Sequence, residues 1–146
     1  MHHINRSALV PYSAQQMFDL VNDIESYPQF MPGCKSARVL ERSGQELLGE
    51  LVLSRAGISQ RLVTRNQLLE PASVTMQLEE GAFSSFVACW KFVDLLDQGC
   101  KTSLDMEFEF SSRLLDLAAR ALFHDTANSM VDTVVARAAK IYRSKA

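Results

Sequence analysis

The chain has 146 residues, of which 47% are hydrophobic and 22% are charged, and its formal net charge at pH 7 is −2. A chain of this length can bury a sizeable core, so residues 1–146 are expected to form a single domain. The near-neutral charge excludes a global positive field that would draw the protein onto DNA, so any RNA contact must come from a local patch.

Targeting signals and cysteine usage point to one compartment. No apolar run reaches the roughly 18 residues that a membrane-spanning helix needs, and the polar start of the chain lacks a signal-peptide apolar stretch. Cys34, Cys89 and Cys100 are odd in number and widely spaced, which favours reduced thiols over a disulfide framework. We therefore expect a cytoplasmic protein without a membrane span, while transient membrane contact stays open.

The first part of the chain predicts a strand and two short helices. Residues 3–10 have the composition of a strand. Ser13, with Gln16 three positions later, forms a capping-box pattern that opens a helix through Val21. Residues 23–30 predict a second short helical segment.

Six strands are predicted next, each rich in β-branched, aromatic and aliphatic residues and bounded by glycine or proline. They cover residues 37–41, 46–54, 59–69, 74–79, 86–95 and 102–110. In the last of them Leu104, Met106, Phe108 and Phe110 alternate with polar residues, as a sheet with one wet face requires. The short connections imply an antiparallel meander.

The C-terminal part of the chain predicts a long helix. From Ser112 onward glycine and proline are absent, which indicates about 32 helical residues. A curved antiparallel sheet wrapped around one such helix is a helix-grip arrangement of the α+β class. The apolar stripe of the helix shifts by nearly half a turn around residues 124–127. Either the helix breaks or bends there, or its first half buries its apolar face against the loop at residues 27–34, a ligand, another subunit or a partner.

The loop between Ser26 and Cys34 is stiff and apolar. It places Tyr27, Phe30 and Met31 between two prolines and a glycine. Each proline fixes its own φ and restricts the preceding residue, so the loop keeps its shape. Such a loop either plugs a core or rims a pocket, and composition alone leaves both open.

A candidate ligand pocket follows from the placement of aromatic and methionine side chains. The strand around Trp90 offers an apolar wall, and its indole N–H gives that wall one polar handle. Methionines add flexible side chains that suit an adaptable pocket, although plain core filling is the alternative. The predicted pocket residues are Tyr27, Phe30, Met31, Met76, Trp90, Phe92, Met106 and Met130.

The sequence offers no constellation for catalysis. His2 and His3 lie at the terminus, His124 lies on the polar stripe of the helix, and no acid–base pair is evident. No His, Cys, Asp or Glu cluster has metal-ligand spacing, and the six glycines form no phosphate-binding loop. We therefore predict that the protein is not an enzyme and requires no cofactor.

Seven segments carry a family resemblance: ALVPYSA at 8–14, LVND at 20–23, YPQFMPGC at 27–34, AGIS at 56–59, TRNQL at 64–68, WKF at 90–92 and FEF at 108–110. In this order they resemble the coenzyme-Q-binding branch of the START-like (polyketide cyclase/dehydrase) family, which includes bacterial ribosome association toxins. The segments span nearly the whole chain. The resemblance implies a START-like helix-grip fold with an apolar cavity between the sheet and the terminal helix.

One function implied by the resemblance is binding of a hydrophobic ligand, ubiquinone or another isoprenoid lipid, in support of respiration and without catalysis. Burial of apolar ligand surface would drive binding at roughly 25 cal/mol per Å². The Trp90 indole or the Tyr27 hydroxyl would orient the polar head. A cyclase activity, which the family name suggests, lacks an acid–base constellation here.

The alternative function implied by the resemblance is that of a toxin that binds the large (50S) ribosomal subunit, blocks its association with the small subunit and so inhibits translation initiation. Arg55, Arg61 and Arg65 form the candidate RNA contact, because arginine suits phosphate and residues 61 and 65 share a strand face. A solvated sheet face is the competing interpretation. Where the family pattern has Gly-Pro-Phe and two lysines, residues 81–85 are Gly-Ala-Phe-Ser-Ser, which removes two cations from that loop.

Overall fold

The computed structural model describes residues 2–55, 58–95 and 99–142. Seven strands lie within these residues: β1 His2–Val10, β2 Cys34–Ser43, β3 Glu46–Arg55, β4 Ile58–Leu69, β5 Ser73–Glu80, β6 Phe83–Asp94 and β7 Cys100–Phe110. The helices there are α1 Ala14–Asn22, a 3₁₀ helix Ile24–Gln29, α2 Arg113–Asn128 and α3 Met130–Tyr142.

The strands form one sheet in the order β1-β7-β6-β5-β4-β3-β2, and every neighbouring pair is antiparallel. Strands β2 to β7 follow one another as a meander, while α1 and the 3₁₀ helix carry the chain from one edge strand, β1, to the other, β2. The helices cover the apolar face of the sheet. The predicted α+β arrangement of an antiparallel sheet around C-terminal helices is confirmed.

The alternation predicted for the last strand sets the inner face of β7. Leu104, Met106, Phe108 and Phe110 are all buried there, and the residues between them face outward. Strand β2 is longer than predicted, because its mostly polar side chains hide the pairing of its backbone with β3. Backbone pairing, which side-chain pattern does not record, extends this edge strand.

Both short helices after β1 are present. The Ser13 hydroxyl accepts a hydrogen bond from the Gln16 backbone N–H at 3.1 Å, and the Gln16 side chain accepts one from the Ser13 N–H at 2.9 Å. This confirms the capping box that starts α1. Phe18 of α1 then packs edge-on against Phe92 of β6, with ring centroids 6.2 Å apart. The second helix is of the 3₁₀ type and contains Pro28.

The predicted long C-terminal helix is divided at Ser129. The Ser129 hydroxyl donates to the carbonyl oxygen of Asp125 at 2.9 Å, a local bond that competes with the helical pattern. The first of the two predicted alternatives, a break, is therefore what the structure contains, slightly beyond residues 124–127. Leu114 and Leu117 on α2 stay 78% and 63% exposed.

Two further features of the chain bear on its predicted environment. All three cysteines are free thiols, and Cys34 and Cys100 are buried. Over the described ranges, no helix has the length and apolar character needed to cross a membrane.

Candidate ligand site

An apolar cavity of about 50 Å³ lies between α2 and the inner face of the sheet. Strands β3 to β7 supply one wall, α2 and the first residue of α3 supply the other, and the 3₁₀ helix with the loop after it closes one end. The cavity therefore lies where the resemblance implied one, between the sheet and the terminal helices.

Six of the eight predicted pocket residues line this cavity: Tyr27, Met31, Met76, Trp90, Met106 and Met130. They come from six different parts of the fold and meet only because the sheet wraps against α2 and α3. The loop at residues 27–34 both packs into the core and borders the cavity, which reconciles the two roles predicted for it.

The other two predicted residues, Phe30 and Phe92, lie outside the cavity lining. Phe30 is half-buried, edge-on to Tyr27, with the guanidinium carbon of Arg137 5.1 Å from its ring centroid. Phe92 is buried and stacks parallel to Trp90 at 6.3 Å. It lies under α1, which covers the end of β6 beyond the cavity.

The Tyr27 hydroxyl is committed to the backbone rather than to the cavity. It donates a hydrogen bond to the carbonyl oxygen of Val21. Burial, with Cys34 and Asp23 nearby, raises the pKa of Tyr27 above its ordinary value, so the hydroxyl stays protonated. Tyr27 therefore contributes its ring to the lining, and its proton is not available to orient a ligand head.

Thr64 and Asn66 give the cavity a polar wall that sequence analysis missed. They are two residues apart on β4 and share a face, both are buried, and the Thr64 hydroxyl donates to the Asn66 Oδ1 at 2.8 Å. The alternation of β4 could have revealed them, because they lie at alternate positions between Leu62 and Leu68, which also point inward. Two polar residues in an apolar phase mark a special environment.

Gly49 leaves room beside this polar pair. It lies opposite Thr64 in the β3–β4 register and also lines the cavity. A Cβ at this position would lie 2.5 Å from the Cδ1 of Ile24 and 4.0 Å from the Nδ2 of Asn66. A side chain here would therefore press on the 3₁₀ helix and fill the space next to the amide.

The lining sets what the cavity can hold. Among the described residues no charged side chain lines it, and no group of three or more His, Cys, Asp or Glu there is placed to hold a metal ion. Pockets for small organic ligands usually have roughly 300–1,000 Å³, so a quinone requires the cavity to enlarge. The flexible side chains of Met31, Met76, Met106 and Met130 line it on several sides and can give way.

The predicted RNA contact has a different environment on the outer face of the sheet. Arg61 pairs with Glu50 at 2.5 Å and Glu80 at 3.1 Å. Arg65 pairs with Glu79 at 3.0 Å and also with Glu46. The Arg55 side chain lies outside the described residues.

With Arg38, which pairs with Glu50 at 2.7 Å, these residues form what we call the ion-pair cluster. Hydrogen bonds from the arginines hold the pKa of Glu46, Glu50 and Glu79 below the ordinary value. Three arginines face four glutamates, so the cluster is not a positive patch.

Comparison with known proteins identifies the chain's relatives. The family model described as polyketide cyclase / dehydrase and lipid transport matches residues 10–135. The ribosome association toxin RatA of Escherichia coli K12 is 41% identical over 145 residues, covering 99% of this chain and 92% of that protein. RatA of Pseudomonas aeruginosa is 42% identical over 140 residues, covering 96% and 97%. Coenzyme Q-binding protein COQ10 homolog B of Xenopus laevis, a mitochondrial protein, is 25% identical over 142 residues, covering 94% and 58%.

Solved structures share the fold. A START superfamily protein from Mycobacterium smegmatis has a TM-score of 0.80 and 20% identity, covering 97% of this chain and 99% of that chain. The Zhui aromatase/cyclase from Streptomyces has a TM-score of 0.72 and 17% identity, covering 94% and 93%. At these identities the likeness concerns the fold alone, and it confirms the predicted START-like helix-grip architecture.

Proposed function

The chain belongs to the polyketide cyclase/dehydrase and lipid transport family, and on that premise we propose that it acts as a ribosome association protein of the RatA type. In this role it binds the large ribosomal subunit in the cytoplasm and blocks joining of the small subunit, which inhibits translation initiation. The observation that carries the proposal is the identity with RatA proteins over nearly the full length of both chains. Such identity extends beyond what a shared fold requires, because the structural neighbours keep the same architecture at half that identity or less.

The proposal does not assign the ribosomal contact to the ion-pair cluster. Arg61 and Arg65 already use their guanidinium groups on carboxylates, and a phosphate would have to displace those partners. With a net charge of −2 on the chain, binding has to rest on a local surface and on contacts other than bulk attraction.

Sucrose-gradient sedimentation tests the proposal. Purified protein is first mixed separately with isolated large subunits and with isolated small subunits. Large and small subunits are then combined in its presence at a magnesium concentration that supports joining. We expect the protein to cosediment with the large subunit and to increase the fraction of free subunits. Absence of cosedimentation by folded protein at low salt would overturn the proposal, since low salt strengthens any phosphate contact.

A second candidate function is binding of a neutral hydrophobic ligand such as ubiquinone in the cavity, without catalysis. The specific observation in its favour is an apolar cavity with one polar pair, in a family whose description includes lipid transport. The described lining offers Thr64, Asn66 and Tyr27 but no acid–base pair, so we propose binding rather than a cyclase reaction. The two functions are compatible, because the cavity is internal and the ribosome would contact the surface.

Extraction of lipids from detergent-free protein purified from its native host, followed by mass spectrometry, tests the second function. We expect a stoichiometric isoprenoid quinone from the wild-type chain. The variant Met76→Trp fills part of the cavity and should lower the quinone content, whereas Phe30→Ala, outside the lining, should not. Folded wild-type protein without bound lipid would count against this function and leave the ribosomal one in place.

A further inference from the structure

We propose that Thr64 and Asn66 determine ligand specificity in the cavity, selecting a neutral, largely apolar molecule whose polar end carries a hydrogen-bond acceptor such as a carbonyl oxygen. The inference rests on the second candidate function, ligand binding, and names the class of ligand and the group that recognises it. It replaces Tyr27 as a group expected to orient the head, because the Tyr27 hydroxyl donates to the backbone.

The hydrogen bonding of the Asn66 side chain is incomplete among the described residues. Its side chain is only 2% exposed and lines the cavity. Its Oδ1 accepts a hydrogen bond from Thr64, while its Nδ2 donates none to the residues that the structure describes. The amide nitrogen lines the cavity with its donors unused, and an acceptor brought in by a ligand would satisfy them.

Thr64 lies beside the amide oxygen of Asn66 and donates its hydroxyl to it. This arrangement leaves both hydrogens of the amide nitrogen for an acceptor elsewhere in the cavity. In the register of the sheet Asn66 is flanked by Leu47 on β3 and Met76 on β5, neither of which accepts a strong hydrogen bond. Gly49 keeps the space beside the nitrogen open.

The charge of the cavity wall limits which polar ends a ligand can carry. No cationic side chain lines the cavity among the described residues, so an ionised carboxylate would lose its hydration without a counter-charge. A fatty acid at neutral pH is therefore disfavoured. A pure hydrocarbon is accommodated but leaves the amide donors unpaired, whereas a ketone, quinone or ester carbonyl accepts from Asn66 and buries its apolar remainder.

Trp90 provides the readout, because it is the only tryptophan of the chain and lines the same cavity. Decylubiquinone, whose ring carbonyls are acceptors and whose quinone quenches indole fluorescence, is titrated into the full-length protein. The affinity for butylbenzene, an apolar probe without a hydrogen-bond acceptor, is measured by its competition with decylubiquinone. The variants are Asn66→Leu, which removes the amide at similar volume, and Thr64→Val, which leaves the amide without its orienting partner. Phe30→Leu is the control, because it changes an apolar side chain outside the cavity lining.

We expect Asn66→Leu to weaken decylubiquinone binding about tenfold and Thr64→Val to weaken it by a smaller factor, with butylbenzene binding unchanged or tighter in both. Phe30→Leu should leave both affinities as in wild type. Equal decylubiquinone affinity in wild type and Asn66→Leu would overturn the assignment while leaving ligand binding intact. Failure of both probes to bind folded wild-type protein would overturn ligand binding and the assignment with it.

Discussion

Gly99 illustrates how a single position can be fixed by its backbone. It precedes β7 with a φ of +100°, a conformation that L-amino acids with a side chain rarely adopt. An ideal Cβ at this position would lie 1.9 Å from the carbonyl oxygen of Val10, so any substitution must displace backbone of β1. By contrast, Gly44 at the β2–β3 turn has a φ of +58° and nothing within 4 Å of its Cβ position.

We predict that Gly99→Ala lowers the free energy of unfolding by about 3 kcal/mol or more, because strain and a backbone clash add. Gly44→Ala should cost only about 1 kcal/mol, since it meets the φ penalty alone. Urea denaturation of both variants measures the difference. Equal losses would show that the β1 backbone adapts to a side chain at residue 99.

The ion-pair cluster links three neighbouring strands through the carboxylate of Glu50. Glu50 of β3 is 6% exposed, although it lies on the outer face of the sheet, because arginines from the two flanking strands cover it. Arg38 comes from β2 and Arg61 from β4, so the cluster ties three strands through one carboxylate. Removal of the arginines would leave this carboxylate without a counter-charge and lower the stability of the fold, so the arginines have a structural role.

We therefore predict that the double variant Arg61→Gln, Arg65→Gln melts a few degrees lower than wild type yet cosediments with large ribosomal subunits as wild type does. The matched control is Arg6→Gln, which removes one exposed pair with Asp132 outside the cluster and should change the melting temperature less. If the folded double variant lost cosedimentation, the two arginines would be the ribosomal contact that the sequence predicted.

Stability against acid is a property of the whole molecule, because carboxylates on several strands contribute to it together. In the folded state the pKa of Glu50, and of the more exposed Glu46, Glu79 and Asp105, is held below its ordinary value by hydrogen-bonded partners. The stability that such groups provide is present above their unfolded pKa and is lost as pH falls through the folded one. His3 has the opposite sign, because Asp105 raises its pKa and its contribution is lost as pH rises.

We predict a plateau of melting temperature near neutral pH and a steep decline below the ordinary glutamate pKa of 4.5. The variant Glu50→Gln should lower the plateau and flatten the acid decline, because the most buried of these carboxylates is then gone. Thermal melts between acidic and neutral pH check this. A decline of unchanged steepness in Glu50→Gln would show that other groups control acid unfolding.

Most of the fold could be predicted because it rests on local patterns. The alternation of β7, the capping box of α1 and the absence of glycine and proline after Ser112 each indicated an element that the structure contains. Trp90 was placed in the pocket because periodicity tells which side of a strand faces inward, whereas the methionines were placed there for their flexible side chains. The break at Ser129 was only one of two predicted alternatives. A shift in the apolar stripe of a helix shows that its buried side changes but does not show why.

What the sequence by itself determined is therefore the architecture, the family and the apolar character of the cavity, all of which follow from local periodicity and short motifs. Only the tertiary structure decided that Arg61 and Arg65 are occupied by carboxylates, that Tyr27 bonds to the backbone and that Thr64 and Asn66 form the polar wall. These facts depend on which residues meet across strands and helices. Distances between residues remote in sequence are set by register and packing, and a one-dimensional pattern does not contain them.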